Sequence, residues 1–71
     1  MSTTQATLRR VEIRSVLRRH KGSQAEVARN ANVSRVSVNK WLKGLTTSAN
    51  IAEAAEKKAL ELLDMEKLHA A

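Results

Sequence analysis

Apolar residues recur along this chain at helical rather than strand spacing. Ile13, Val16, Leu17 and His20 fall on one stripe of a helix expected from a Thr7 cap to about Lys21, with Arg9 on the same stripe and Leu8 at its edge. Val27, Ala28 and Ala31 keep one face of a second, shorter helix apolar, and Ser23 with Glu26 three residues on has the form of a capping box at its start. Asn32 then stands where the chain must turn, because Asn tolerates the left-handed conformation better than any residue except Gly. Val33 plugs that corner. Ser34 caps a third helix whose Val38 and Trp41 point inward, and Gly44 ends it. After the loop LTTSA comes one long helix over residues 50–68, about 28 Å at 1.5 Å per residue. Asn50 with Glu53 makes its box-like start, and Ile51, Ala55, Ala59 and Leu62 form a stripe that can close over the other three. The pattern predicts an all-α chain, a small bundle of four to five helices.

The polar positions add faces to these helices. Arg10, Arg14 and Arg18 run along a face beside the first stripe, either as solvated residues or as anion contacts, with Arg19 set apart. Val11 sits off the stripe without an account. His20 reads as a boundary residue of the core, since no second ligand lies at metal spacing. On the third helix Arg35, Val36, Asn39, Lys40 and Lys43 share the face opposite Val38 and Trp41. On the last helix Glu53 and Glu56 suit the positive end of the dipole, and Lys67 and His69 the other end. Glu53–Lys57 and Lys57–Glu61 add i,i+4 pairs. Leu60, Leu63 and Leu68 fall partly off its apolar stripe and leave surplus apolar surface.

Seventy-one residues suit one small domain over 1–71 with a modest core. The absence of Cys excludes disulfides, thiolate metal sites and cysteine nucleophiles and fits a reducing cytoplasm. No apolar run approaches 20 residues and no leader pattern opens the chain, so neither a membrane span nor export is expected. No Pro, two Gly and no Phe or Tyr agree with helices throughout. The net charge of +6 is unevenly placed. Residues 1–22 carry six Arg/Lys against Glu12, residues 23–44 four against Glu26, and residues 45–71 three Lys against five acids. A polyanion on one side of the molecule is the direct reading. An acidic membrane would also attract this charge, but the large apolar anchor of an interfacial helix is missing. Ser, His and acidic residues do not converge on any catalytic pattern, no Gly-rich phosphate loop exists, and neither a cofactor nor a metal is expected.

The stretch from Ser23 to Gly44 resembles the helix-turn-helix of the lambda-repressor/Cro-like family. Gln24 stands at the start of the first helix, Ala28 four residues later, then Val33 and Ser34, an aliphatic at Val38 and a bulky apolar at Trp41. Asn32 occupies the turn, where Gly is usual. The resemblance covers about a third of the chain and implies a small all-α fold that docks one helix in a major groove. It implies base contacts by Arg35, Val36, Asn39 and Lys40, and a phosphate contact by Gln24 that also braces the base-reading side chains. It further implies a last helix used for dimer contacts, although the family usually ends with two shorter helices.

The side-chain chemistry agrees with that assignment. Arg35 can pair bidentately with guanine and Asn39 with adenine, Val36 can pack on a thymine methyl, and Lys40 can read guanine or reach only phosphate. Lys43, at the far end, is placed near backbone phosphate. Ser34 serves as a cap first and a phosphate contact second. Arg14, Arg29 and the neighbouring Asn30 are either solvated or phosphate contacts. The expected partner is a palindromic double-stranded DNA operator bound by a homodimer, because one recognition helix contacts few base pairs. A repressor of the phage or mobile-element type leads. An antitoxin whose C-terminal helix meets a toxin, and an architectural or recombination-directing factor, share the DNA step and differ in what that helix meets.

Overall fold

The computed structural model describes residues 8–70, with side chains through Leu68. It contains four helices, α1 Arg10–Arg19, α2 Ser23–Ala31, α3 Arg35–Leu42 and α4 Ala49–Ala70. One core joins them. Ile13, Val16 and Leu17 come from α1, Val27, Ala28 and Ala31 from α2, Val38, Trp41 and Leu42 from α3, and Ile51, Ala55, Ala59 and Leu62 from α4. These are the apolar stripes read from the pattern, with Leu42 added. α4 lies across α2 and α1, and α3 is held mainly by α2. The recognition-type helix is therefore mounted on a scaffold rather than enclosed by it.

The starts of α1, α2 and α4 differ from expectation, each for a local reason. Arg9 is extended (φ −73°, ψ 152°), so α1 begins at Arg10, and the Arg9 N–H donates to Glu12 Oε1 at 2.9 Å. Thr7 lies outside the described residues, as do residues 1–6 and the side chain of His69. Arg9 is exposed rather than on the buried stripe. At α2 the cap position belongs to Gly22, left-handed at φ 87°. Ser23 is already helical and buried, and its hydroxyl donates to the Leu17 carbonyl at 2.8 Å, while Glu26 turns to Lys58. The capping box does not form because both side chains have partners on neighbouring helices. At α4 the cap is Ser48, whose Oγ accepts from the Ile51 N–H at 3.3 Å. Asn50 instead donates through Nδ2 to the carbonyl of Ala31 at 2.8 Å, satisfying an otherwise orphaned group at the end of α2.

The turn after α2 follows the expectation. Asn32 is left-handed (φ 60°, ψ 45°), and the Asn32 N–H donates to Arg29 O at 3.2 Å. The Val33 N–H donates to Ala28 O at 2.9 Å, the paired bonds of a Schellman turn, with Val33 packed against the core.

α4 is one unbroken helix where the family pattern has two. Side chains of α1 and α2 hold it along its length. Glu26 on α2 pairs with Lys58, which also lies 3.8 Å from Glu61. Glu66 accepts from Arg19 Nη2 at 3.1 Å and meets His20 Nε2 at 2.6 Å. Lys58 thus takes the Glu61 pair expected of Lys57 and adds Glu26 on α2, which the i,i+4 spacing did not indicate. Among the three surplus leucines, Leu63 packs against the core and Leu60 is half-buried, while Leu68 is 79% exposed.

Candidate nucleic-acid interface

α3 is fixed at both ends by side-chain and backbone bonds that leave its outer face free. Ser34 is extended (φ −81°, ψ 159°), and its Oγ accepts the Ser37 N–H at 3.2 Å while sharing a hydrogen bond with the Ser37 hydroxyl at 3.1 Å. At the other end Gly44 is left-handed (φ 80°). The Gly44 N–H donates to Trp41 O at 3.0 Å and the Leu45 N–H to Lys40 O at 2.9 Å, a second Schellman turn. Val38, Trp41 and Leu42 are buried, so Arg35, Val36, Asn39, Lys40 and Lys43 all face outward. Val36 is 63% exposed, an apolar side chain presented to solvent on an otherwise polar face.

Those five residues, with Gln24 from α2 and Leu45 beyond Gly44, line a single open groove. A narrower cleft continues from it, lined by Arg14 and Arg18 of α1 together with Gln24, Asn39, Leu42 and Lys43. A third depression joins Arg18, His20 and Lys21 to Gln24 and Arg35. No Asp or Glu lines any of the three. The structure thus brings Arg35, Val36, Asn39, Lys40, Gln24 and Lys43 together and sets Arg14 at the adjoining cleft. Ser34 is exposed at the amino end of α3, its oxygen occupied by the cap. Arg29 is exposed on α2 but lines none of these clefts. Lys21 and Leu45 border them without having been singled out, and Arg18 of the Arg row borders them beside Arg14. Arg18 follows Arg14 by one helical turn, which was signal enough, whereas Leu45 reaches the groove only through the turn at Gly44.

The acids that could oppose this surface are bound elsewhere. The Lys58 ammonium hydrogen-bonds Glu26 and, with its charge, holds that carboxyl below the usual range. Hydrogen bonds from Arg19 and then His20 do the same for Glu66. Glu56 Oε2 accepts the Leu8 N–H at 2.7 Å. Arg10 departs from the Arg row expected of it. Its guanidinium lies 4.9 Å from the centre of the Trp41 ring, and Trp41 is a buried anchor between helices rather than a surface for stacking bases.

A rigid, outward-facing helix with cations, amides and one methyl-bearing side chain can read base edges, and the flanking cations can hold phosphates. Residues 13–58, more than half of the chain, match the family model described as helix-turn-helix, of the lambda-repressor/Cro-like type. The match runs from within α1 into α4 and contains the whole groove-bearing unit. No curated protein and no solved structure matches the chain.

Proposed function

The chain belongs to the lambda-repressor/Cro-like helix-turn-helix family, a family of DNA-binding, non-enzymatic domains, and from that premise we propose that it is a sequence-specific transcriptional regulator, a repressor of the phage or mobile-element type acting in the cytoplasm. The observation that carries this reading is the acid-free groove along α3, lined by four side chains of different hydrogen-bonding character, Arg35, Val36, Asn39 and Lys40. In it Arg35 pairs with guanine, Asn39 with adenine, Val36 meets a thymine methyl and Lys40 reaches guanine or phosphate. Gln24, Ser34, Lys43, Arg29 and Arg14 hold the backbone. Residues 1–71 act as one DNA-binding domain with its motif at 23–44. A homodimer on a palindromic operator supplies the contacts that a single α3 lacks.

A second reading is favoured by α4, whose carboxyl end presents Leu68 to solvent. In an antitoxin, or in an architectural or recombination-directing factor, that end would meet another protein. No helix among the described residues is long and apolar enough to cross a membrane. Selection of bound sequences from random duplexes, followed by footprinting of the winner, tests the leading reading. A palindromic footprint with half-sites about 34 Å apart is expected. Binding without any enriched sequence would favour the architectural role. Stability only when purified with a co-expressed neighbour would favour the antitoxin.

A further inference from the structure

Among the described residues Arg10 is a cation without an anion. Its guanidinium stacks on Trp41, its Nε is buried with no hydrogen-bond partner, and among the described residues its side chain has neither an ion pair nor a hydrogen bond. Taking a charge part-way out of water without pairing it is unfavourable. Its position adds to that cost, because Arg10 is the first residue of α1, where the helix dipole favours negative charge. Among the described residues its one favourable side-chain contact is the face of the Trp41 ring.

The surroundings indicate what the guanidinium is for. Arg10 Nη1 lies so close to Gly44 that a Cβ there would stand 3.2 Å from it. Gly44 ends α3 and separates Lys43 from Leu45, both of which line the open groove. The guanidinium therefore abuts the turn that joins Lys43 to Leu45, just beyond the carboxyl end of α3, while Arg10 itself lines none of the three clefts. Trp41 backs one face of it, which limits its orientation, and Gly44 leaves room along one edge. A planar fork of N–H donors fixed in this way suits two oxygens of one tetrahedral anion.

We propose that Arg10, stacked on Trp41 and abutting Gly44 at the carboxyl end of α3, is a binding site for a phosphodiester of the DNA backbone. The site rests on the reading that duplex DNA is the partner and adds to it a sequence-independent contact from α1, outside the helix-turn-helix itself. Trp41, the sole Trp of the chain, lies directly beneath.

The test compares wild type with Arg10→Met, which keeps an unbranched apolar stem on the ring and removes the charge. Affinity for a random-sequence duplex is measured against salt concentration, and thermal melting is followed in parallel. With the site in place, Arg10→Met melts cooperatively and its salt slope falls by about 0.9, the value of one phosphate. Between about 50 and 200 mM salt the variant then loses three- to fourfold less affinity than wild type. An unchanged slope in a folded variant overturns the site and leaves DNA binding intact. Wild type that binds no duplex overturns both readings together. A second measurement needs no variant: phenylglyoxal modification of the full-length wild-type chain, followed residue by residue. Random duplex should protect Arg10 and leave Arg19, paired with Glu66, at its duplex-free rate. Equal modification of Arg10 with and without duplex overturns the site even if Arg10→Met fails to fold.

Discussion

Asn32 shows how one residue decides whether α2 and α3 can meet at an angle. It must hold φ 60° while its N–H and that of Val33 close the end of α2. Asn32→Gly should melt at or slightly above the wild-type midpoint, because Gly adopts this conformation without a Cβ conflict. Asn32→Val should be clearly destabilised, by about 1–2 kcal/mol from the left-handed conformation alone. Equal midpoints for the two variants would remove the turn from that position. Trp41 is the other decisive residue, 4% exposed between α1 and α3. Trp41→Ala should cost roughly 3–5 kcal/mol, most of the stability that a small domain has to lose. Retained cooperative melting at an unchanged midpoint would contradict its anchoring role. Both roles were legible from sequence, since a turn needs a residue of Asn or Gly type and a lone aromatic at helical spacing belongs inside. Ser23 was not. Its hydroxyl had two available uses, and burial against Leu17 O, which only the assembled fold provides, decided between them.

At the scale of elements, the number and order of the helices followed from periodicity while several of their starts and their tethers did not. Capping patterns are local, whereas Glu26–Lys58, Glu66 with Arg19 and His20, and Asn50 to Ala31 O join residues 19 or more positions apart. Which of two adjacent lysines on α4 meets Glu26 depends on the rotation of that helix against α2, and no sequence spacing encodes it. These tethers make the seating of α4 sensitive to acid. Both glutamates are held below their ordinary value near 4.5 in the fold. Their contribution is therefore present above that value and lost as pH falls through the lower folded-state value. Melting of wild type should drop more between about pH 6 and pH 3 than melting of Glu26→Gln/Glu66→Gln. Parallel pH profiles would show that the pairs do not stabilise the fold. The exposed end of α4 carries the dimer proposal. Leu68→Glu should leave the melt unchanged and reduce cooperativity on a two-half-site duplex, and unchanged cooperativity would move the dimer surface elsewhere.

Taken as a whole, the molecule separates its charges, with cations of α1 and α3 around an acid-free groove and Glu26, Glu56 and Glu66 held by partners on other segments. The sequence already placed most cations in residues 1–44 and most acids after them, and the fold turns that gradient into two sides. What the gradient could not show was that Gln24, Arg14 and Arg18 converge on Asn39 and Lys43 from two other helices. In the proposed docking, α3 reads bases with its amino-terminal and middle residues and touches backbone at its carboxyl end. The direct measurement is affinity of Arg35→Ala, Asn39→Ala and Lys43→Ala for the selected site, for its single-base variants and across salt concentration. Alanine at Arg35 or Asn39 should cost about 1–3 kcal/mol on the selected site and relax preference at one base pair. Lys43→Ala should weaken all sequences alike and lower the salt slope by about one. A loss of base preference in Lys43→Ala, with Arg35→Ala weakening every sequence equally, would mean that α3 docks in the opposite direction and would contradict the account.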